Sequence, residues 1–487
     1  MMRGLHTPVR AIRRRVFKEV AQLGFKADED TLLADMEAIP YAIVNEDSEK
    51  YRESVYRARA IVRERLRLAM GLSLRPENKP VHLTAGVEAS NISEKYYEPP
   101  LMQVIPSACE SCEENKYEVS NICKGCLAHP CQEVCPKDAI SMVNGRSYID
   151  QEKCIKCGKC KSVCPYDAIA KKERPCQKAC GVNAIKSDKM GRAYIDNEKC
   201  VSCGMCMVSC PFGAISDKSQ IFQLALVGQF GDNITPRNIK AALRELGFSE
   251  VYEVALGADI GAIAEAHHYV DKVVTGELPF LLTSCCPSWS VMAKKFFPDL
   301  IDQISQELTP MVATARTIKQ KHPEAKVVFI GPCAAKKLEA SRRSVRSDVD
   351  FVVTFEELQA MFDAKEIDLT EYEAESSFHD ATGAGRGYGC AGGVAEAIEK
   401  CINEYYPDVQ VNIEHAEGLK ECKKILTLAK AGKMNGCLIE GMGCPGGCIA
   451  GAGTNIPLPR AKKDLAAFVK NSSKSIPPKE LEEIELD

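Results

Sequence analysis

Cysteine spacing constrains this chain more than any other feature. Sixteen of its 25 cysteines fall between Cys109 and Cys210; none comes earlier and nine come later. Two runs in the dense stretch share the form C-x2-C-x2-C-x3-C-P: Cys154, Cys157, Cys160 and Cys164, then Cys200, Cys203, Cys206 and Cys210. Residues 145–150 (Gly-Arg-Ser-Tyr-Ile-Asp) precede the first run, and residues 191–196 (Gly-Arg-Ala-Tyr-Ile-Asp) precede the second at the same offset. Arg13, Arg14 and Arg15 look like part of an export signal, but no apolar stretch follows them, and no run of about 18 apolar residues occurs. The expectation is a cytoplasmic chain, in which thiols stay reduced and closely spaced cysteines serve as metal ligands. A net charge of −4 excludes a generally basic nucleic-acid binder.

The two regular runs have the spacing of bacterial ferredoxins that hold 4Fe–4S clusters, where the fourth cysteine ligates the neighbouring cube. Zinc is the alternative for such thiols. Two altered motifs extend the pattern. Cys123, Cys126, Cys131 and Cys135 form C-x2-C-x4-C-x3-C-P. Cys176 and Cys180 form only C-x3-C, followed by Gly181 where the others have Pro136, Pro165 and Pro211. All four ends lead into Ala-Ile, at Ala139, Ala168, Ala184 and Ala214. Cys176 and Cys180 thus read as the back half of a motif whose front half is elsewhere, and Cys109 with Cys112 is the unassigned C-x2-C. For that pair a zinc site or an unliganded pair is the alternative. One two-cluster module nested in another, with ferredoxin ligand crossing, predicts four sets. They are Cys123, Cys126, Cys131, Cys164; Cys154, Cys157, Cys160, Cys135; Cys109, Cys112, Cys176, Cys210; and Cys200, Cys203, Cys206, Cys180.

From about Ser219 the texture changes to apolar runs alternating with helical stretches, an α/β pattern. Phe280-Leu281-Leu282 leads to Thr283-Ser284-Cys285-Cys286-Pro287-Ser288-Trp289. Val327-Val328-Phe329-Ile330 leads to Gly331-Pro332-Cys333. Cys437-Leu438-Ile439-Glu440 leads to Cys444-Pro445-Gly446-Gly447-Cys448. Ligands of α/β folds gather beyond the carboxyl ends of strands. Three strand ends are therefore expected to present Cys286, Cys333, Cys444 and Cys448 to one point.

These segments resemble the three signature motifs of the catalytic domain of iron-only (FeFe) hydrogenases, T-S-C-C-P-x-W, P-C-x-x-K-x-x-E and M-x-C-P-x-G-C, over about residues 219–465. The resemblance implies an H-cluster, a 4Fe–4S cube joined to a di-iron unit bearing CO, cyanide and azadithiolate, plus four accessory 4Fe–4S clusters. It assigns Cys286, Cys333, Cys444 and Cys448 to the cube, with Cys448 bridging to the di-iron unit. It makes Cys285 the proton donor and acceptor, Lys336 the partner of a cyanide, and Met442 a neighbour of the di-iron unit. Glu339, Ser305 and Glu265 match members of a proton route, and His268 stands where a second acid is usual. Gly331, Ser288 and the segment Leu224-Ala225-Leu226-Val227-Gly228, read as a first strand, depart from the commonest pattern and suggest a divergent subgroup. The implied activity is reversible H2 oxidation and proton reduction, with a ferredoxin or flavodoxin-like electron carrier, dependence on maturation proteins, and no membrane or nucleic-acid partner. A low-turnover hydrogen sensor and a non-catalytic iron–sulfur assembly protein are the other classes.

The expected fold is an α/β catalytic domain, parallel sheets flanked by helices with the cluster between two lobes, joined to an α+β ferredoxin-like domain and a helical head. The expected boundaries are 1–100, 101–218, 219–465 and a polar extension at 466–487. In the head, Thr7 caps a first helix, Pro8 suits its first turn and Gly24 its stop. Val9, Ile12, Val16, Val20 and Leu23 form one apolar stripe, and Val55, Ala58, Val62, Leu66 and Ala69 form a second. The Arg-rich faces opposite read as solvated, or as docking surface for an acidic redox protein. Residues 383–389, rich in glycine, lack a preceding strand for a dinucleotide site. Gly392-Gly393-Val394 resembles a segment that backs the hydrogenase cluster. Cys390, Cys401, Cys422 and Cys437 read as core.

Overall fold

The computed structural model describes residues 3–45, 51–227, 238–368, 381–484 and 486. The head holds three long helices rather than two: Pro8–Lys26, Leu32–Ile43 and Val55–Ala69. The Thr7 side chain accepts from the Arg10 N–H, as an N-cap should, and Pro8 occupies the first turn. The expected stop at Gly24 is not used: Gly24 is buried inside the helix, and the left-handed residue that ends it is Ala27. Val16, Val20, Met36, Ile39, Val62 and Leu66 form one apolar cluster together with Phe222, Phe351 and Phe362 from far along the chain.

The arginine faces are not simply solvated. Arg13, Arg65 and Arg67 are buried. Arg67 donates to the carbonyls of Ser73 (2.8 Å), Leu83 (2.7 Å) and Ala85 (2.8 Å), and Arg65 donates to the Gly213 carbonyl. Arg13 lies 3.4 Å from Glu356 and 3.8 Å from Asp217. Buried guanidinium groups need such partners, and here they come from residues remote in sequence.

The cysteine-dense part is built of nested antiparallel pairs. Met102–Val104 pairs with Ile215–Asp217, and Ile185–Ser187 pairs with Ala193–Ile195. Between them in sequence, Lys116–Val119 pairs with Ile169–Lys172, and Ile140–Val143 with Arg146–Ile149. Beyond Ser219 the sheets are parallel: Val328–Gly331 beside Phe351–Thr354, and Asn412–Glu417 beside Cys437–Met442 beside Leu281–Leu282. Helices Ala255–Tyr269, Pro287–Phe296, Gly393–Tyr405 and Leu419–Lys430 pack on this second sheet and its loops. The fold is thus mixed helix and sheet. One apolar cluster runs from Met205 and Met207 through Leu282 and Trp289 to Val394 and Ile439, so the two parts share a core.

Two expectations change. The run Leu224-Ala225-Leu226-Val227 is not a strand but part of helix Ile221–Val227, and Gly228 lies outside the described residues. A short apolar run carries no period that separates strand from helix. Here Ile221, Phe222 and Leu224 are buried, and Gln223 donates to the carbonyls of Met70 (3.0 Å) and Ser90 (2.9 Å), which anchors the helix on the head. The tail expected as a polar extension lies against the fold: Tyr405 donates to the Pro477 carbonyl, Leu481 packs on the core, and Arg316 donates to the Leu486 carbonyl at 2.9 Å. Among the described residues, no helix is long and apolar enough to cross a membrane.

Candidate metal centre and proton path

The four Ala-Ile ends have a structural reason. In each, the residue three after a cysteine takes a left-handed conformation: Asp138, Asp167, Asn183 and Gly213. Asp, Asn and Gly tolerate that conformation best. The turn brings the next N–H back to the cysteine, so Ala139, Ala168, Ala184 and Ala214 donate to the sulfurs of Cys135, Cys164, Cys180 and Cys210 at 3.3, 3.4, 3.2 and 3.3 Å. Such N–H···S bonds favour thiolate and tune a cluster. A second left-handed position recurs between paired cysteines, at Gly125, Lys156 and Ser202, and Ser111 repeats it between Cys109 and Cys112.

The cysteines converge in groups. Cys109, Cys112, Cys176 and Cys210 line one small hollow with Arg174, which donates to the Cys112 carbonyl at 2.9 Å. Cys135, Cys154, Cys157 and Cys160 line another. Cys123 and Cys131 both meet Ser147, with Cys131 at 3.3 Å from its hydroxyl; Cys164 packs in the same apolar cluster, and Cys126 lies on the loop after Cys123. Burial raises Cys206, and the sulfurs of Cys203, Cys200, Cys180 and Cys176 beside it add to the rise. Burial likewise pushes Cys176 and Cys203 up to about 12. Thiols so crowded ionise only beside a strong positive charge, which iron supplies. Among the described residues, no group of three or more His, Cys, Asp or Glu is arranged to hold a single metal ion.

Cys286, Cys333, Cys444 and Cys448 form a further group. Cys286 caps helix Pro287–Phe296 and accepts from the Gly443 N–H at 3.3 Å. Cys333 precedes the turn Ala335–Glu339, and Cys448 opens the turn Cys448–Ala450. Burial raises Cys333 to about 11, with Cys286 adding to the rise and Lys336 opposing it. Cys444 is raised by burial and by Cys333, Cys286 and Cys448, and Cys203 also faces it. The donor set therefore fits an iron–sulfur cube, with Cys203 on the side toward the cysteine-dense part. Lys336 is buried, lies 2.6 Å from Glu339 and donates to the Cys285 carbonyl at 3.3 Å. Thr309 donates to Glu339 at 2.7 Å. Met442 is buried at the end of its strand.

Cys285 is held well above the usual thiol range by burial first, then by Glu265 and Cys286. Glu265 is buried on helix Ala255–Tyr269 and accepts from the Ser284 N–H at 3.3 Å and from the Ser305 hydroxyl. Burial pushes its carboxyl to about 7, and its Oε2 has no hydrogen-bond partner. Ser305 in turn accepts from the Glu307 N–H at 3.2 Å. His268 Nδ1 lies 3.8 Å from Glu307 Oε1, and both line a cavity of about 530 Å³. Sequence reasoning missed Glu307, Glu440 and Tyr388. Glu440 is buried in mid-strand and accepts from the N–H groups of Gly392 and Ala395, both at 2.8 Å, which fastens the glycine-rich segment to the site. A glutamate inside an apolar strand run was the available signal. Tyr388 carries a buried hydroxyl without a partner beside Glu265 and Cys285. Ser288 donates to the Val201 carbonyl at 3.4 Å, next to the Cys200 loop.

Comparison with known proteins agrees with this geometry. Residues 220–452 match the family described as iron only hydrogenase large subunit, C-terminal domain. Residues 123–173 match an LdpA Fe-S cluster-binding domain and residues 193–216 a 4Fe-4S binding domain. Iron hydrogenase 1 of Clostridium pasteurianum is 29% identical over 266 residues, 46% of this chain and 46% of that protein. The periplasmic Fe hydrogenase large subunit of Nitratidesulfovibrio vulgaris is 29% identical over 266 residues, 45% of this chain and 63% of that protein. The hydrogenase-type region of this chain thus spans less than two thirds of either relative. The cytosolic Fe-S cluster assembly factor NAR1 of Kluyveromyces lactis is 38% identical over 105 residues, 22% of each chain.

Proposed function

We propose that the chain is an FeFe hydrogenase that interconverts H2 with protons and electrons. The observation that carries this reading is Cys285, a partly buried thiol set against both the four-cysteine group and the Glu265 carboxyl. Cys286, Cys333, Cys444 and Cys448 would hold the cube of an H-cluster, Cys448 bridging to its di-iron unit. When bound, that group supplies reversible cleavage of H2. Lys336, positioned by Glu339, offers an ammonium to a cyanide ligand, and Met442 closes the apolar side. Cys285 moves protons to Glu265, whose value near 7 suits both acceptance and release at neutral pH. Ser305, Glu307 and His268 continue the route toward the cavity at the surface.

Four accessory cubes in the nested ferredoxin-like sets would relay electrons. Cys203 faces Cys444, and Cys176 faces Cys206, so the order from the H-cluster is the Cys200 set, then the Cys109 set, with the inner module outermost. A ferredoxin or flavodoxin-like carrier would meet that end, and maturation proteins would install the di-iron unit. The parts divide at 1–100, 101–218 and 219 onward, since helix Leu458–Lys470 runs across the boundary expected at 465 and the tail packs on the third part, whose two lobes would hold the cluster in a cytoplasmic enzyme. Similarity to an assembly factor makes a non-catalytic protein the second reading. Steady-state H2 turnover of matured protein decides: sustained turnover in both directions supports the hydrogenase, loaded clusters without turnover support the assembly protein, and slow turnover supports a sensor.

A further inference from the structure

A cavity of about 440 Å³ lies between the first head helix, Phe212 and Thr454, and among the cysteines placed in cluster sets above Cys210 alone is in its described wall. Four arginines line it, Arg3, Arg10, Arg13 and Arg52, and among the described residues Glu356 is the one acid in its wall. Carbonyls take many of their N–H groups. Arg3 donates to Pro445 (2.8 Å) and Ala450 (2.6 Å), Arg10 to Thr454 and to Asn455 Oδ1 (2.7 Å), and Arg52 to Phe212 (2.7 Å). Carbonyls satisfy hydrogens but cancel no charge. The nearest acids are shared: Glu356 at 3.4 Å from Arg13 and 3.7 Å from Arg10, Asp217 at 3.8 Å from Arg13, and Glu110 at 3.0 Å from Arg52.

The excess positive charge is felt inside the wall. Burial lowers Arg10; Glu356 opposes that, and Arg13 and Arg14 add to it. Arg13 is only 9% exposed, and its Nε has no hydrogen-bond partner among the described residues. Thr7, Arg10 and Arg13 are three apart and share one helix face. The first turn of helix Pro8–Lys26 also lines the cavity, adding the positive end of its dipole. The neighbouring Cys109 hollow has a cation of its own, Arg174, which eases Cys112 and Cys176, while Cys210 lies in the wall of both.

We propose that this cavity binds a phosphate-bearing anion. Guanidinium groups form paired, charge-assisted bonds with phosphate oxygens. The volume falls in the range of small-molecule sites, so the phosphate group can be free or carried on a nucleotide. Arg3 holds the carbonyls of Pro445 and Ala450 on either side of Cys448, so the anion would also steady the segment that bears two of the four converging cysteines.

The test is equilibrium dialysis of the whole, cluster-loaded chain with labelled inorganic phosphate, and separately with AMP and ATP, at constant ionic strength. Saturable binding is expected, weakened about tenfold or more in Arg10→Gln and in Arg3→Gln. These two arginines are chosen because Arg13→Gln would remove a buried cation shared by Glu356 and Asp217 and so disturb the fold as well as the cavity. Cluster absorbance and melting midpoint check that each variant is folded. Phosphate displacing the nucleotide supports one site for the shared phosphate group; binding of phosphate alone assigns it to the free ion. No saturable binding up to about 10 mM of any of the three, displacement by chloride as readily as by phosphate, or full binding in both folded variants would overturn the proposal.

Discussion

Replacing Glu265 by Gln separates two consequences of one burial. The carboxyl stands at about 7 against an ordinary 4.5, chiefly because burial disfavours its charged form. The folded state therefore binds this proton more tightly than the unfolded chain does. Stability falls as pH rises from about 4.5 to 7 and stays lowered above that. A shift of roughly 2.5 units corresponds to about 3 kcal/mol. The amide cannot ionise, and its oxygen can still accept from the Ser284 N–H. Glu265→Gln should thus match wild type near pH 5 and melt a few degrees higher near pH 8. Turnover should fall by about 10²-fold or more at every pH, with cluster absorbance unchanged. The assay is melting midpoint and H2 evolution from pH 5 to 9 for both loaded proteins at one scan rate. An equal pH dependence of the two midpoints would refute the raised carboxyl, and near-normal turnover would remove Glu265 from the proton route.

Cys285→Ala should keep all cluster spectra and lower turnover by about 10²-fold or more, since the thiol is a proton carrier and not a ligand; loss of cluster signal would make it structural. Cys176→Ser and Cys109→Ser should disturb the same paramagnetic signal, and Cys180→Ser a different one, that of Cys200, Cys203 and Cys206; separate signals for Cys176 and Cys109 would break the nesting. Lys337 is 1% exposed, 2.7 Å from Asp217 and 2.8 Å from Glu357. Lys337→Met leaves two carboxylates buried without that cation and should cost about 3–5 kcal/mol, read as a lower melting midpoint. An unchanged midpoint would mean that Arg13 beside Asp217, and the Ser219 and Thr354 hydroxyls that donate to Glu357, suffice without the ammonium.

What the chain reveals by itself follows from distance along it. Cysteines two or three apart lie on one loop, so their grouping is local, and the recurring Ala-Ile ends mark the N–H···S turns before any coordinates are known. The three strand-end motifs are equally local. Glu307, Tyr388 and Glu440 belong to the site only because segments remote in sequence meet there, Glu307 with His268, Tyr388 with Glu265 and Glu440 with Gly392, and no spacing records that. The head misleads for the same reason. Arg13 and Arg65 sit in helix sequences that look like solvated faces, and their partners Asp217, Gly213 and Glu356 come from elsewhere. Leu224 to Val227 has no period of its own, and burial against the head decides for helix.

The most direct test of the central claim is the infrared spectrum of matured, anaerobic protein. If Cys286, Cys333, Cys444 and Cys448 hold an H-cluster, sharp CO and cyanide stretching bands should appear, and they should shift when H2 is added. Protein whose paramagnetic signals show loaded cubes but whose spectrum lacks both sets of bands after maturation would contradict the assignment and leave an iron–sulfur protein without hydrogenase chemistry.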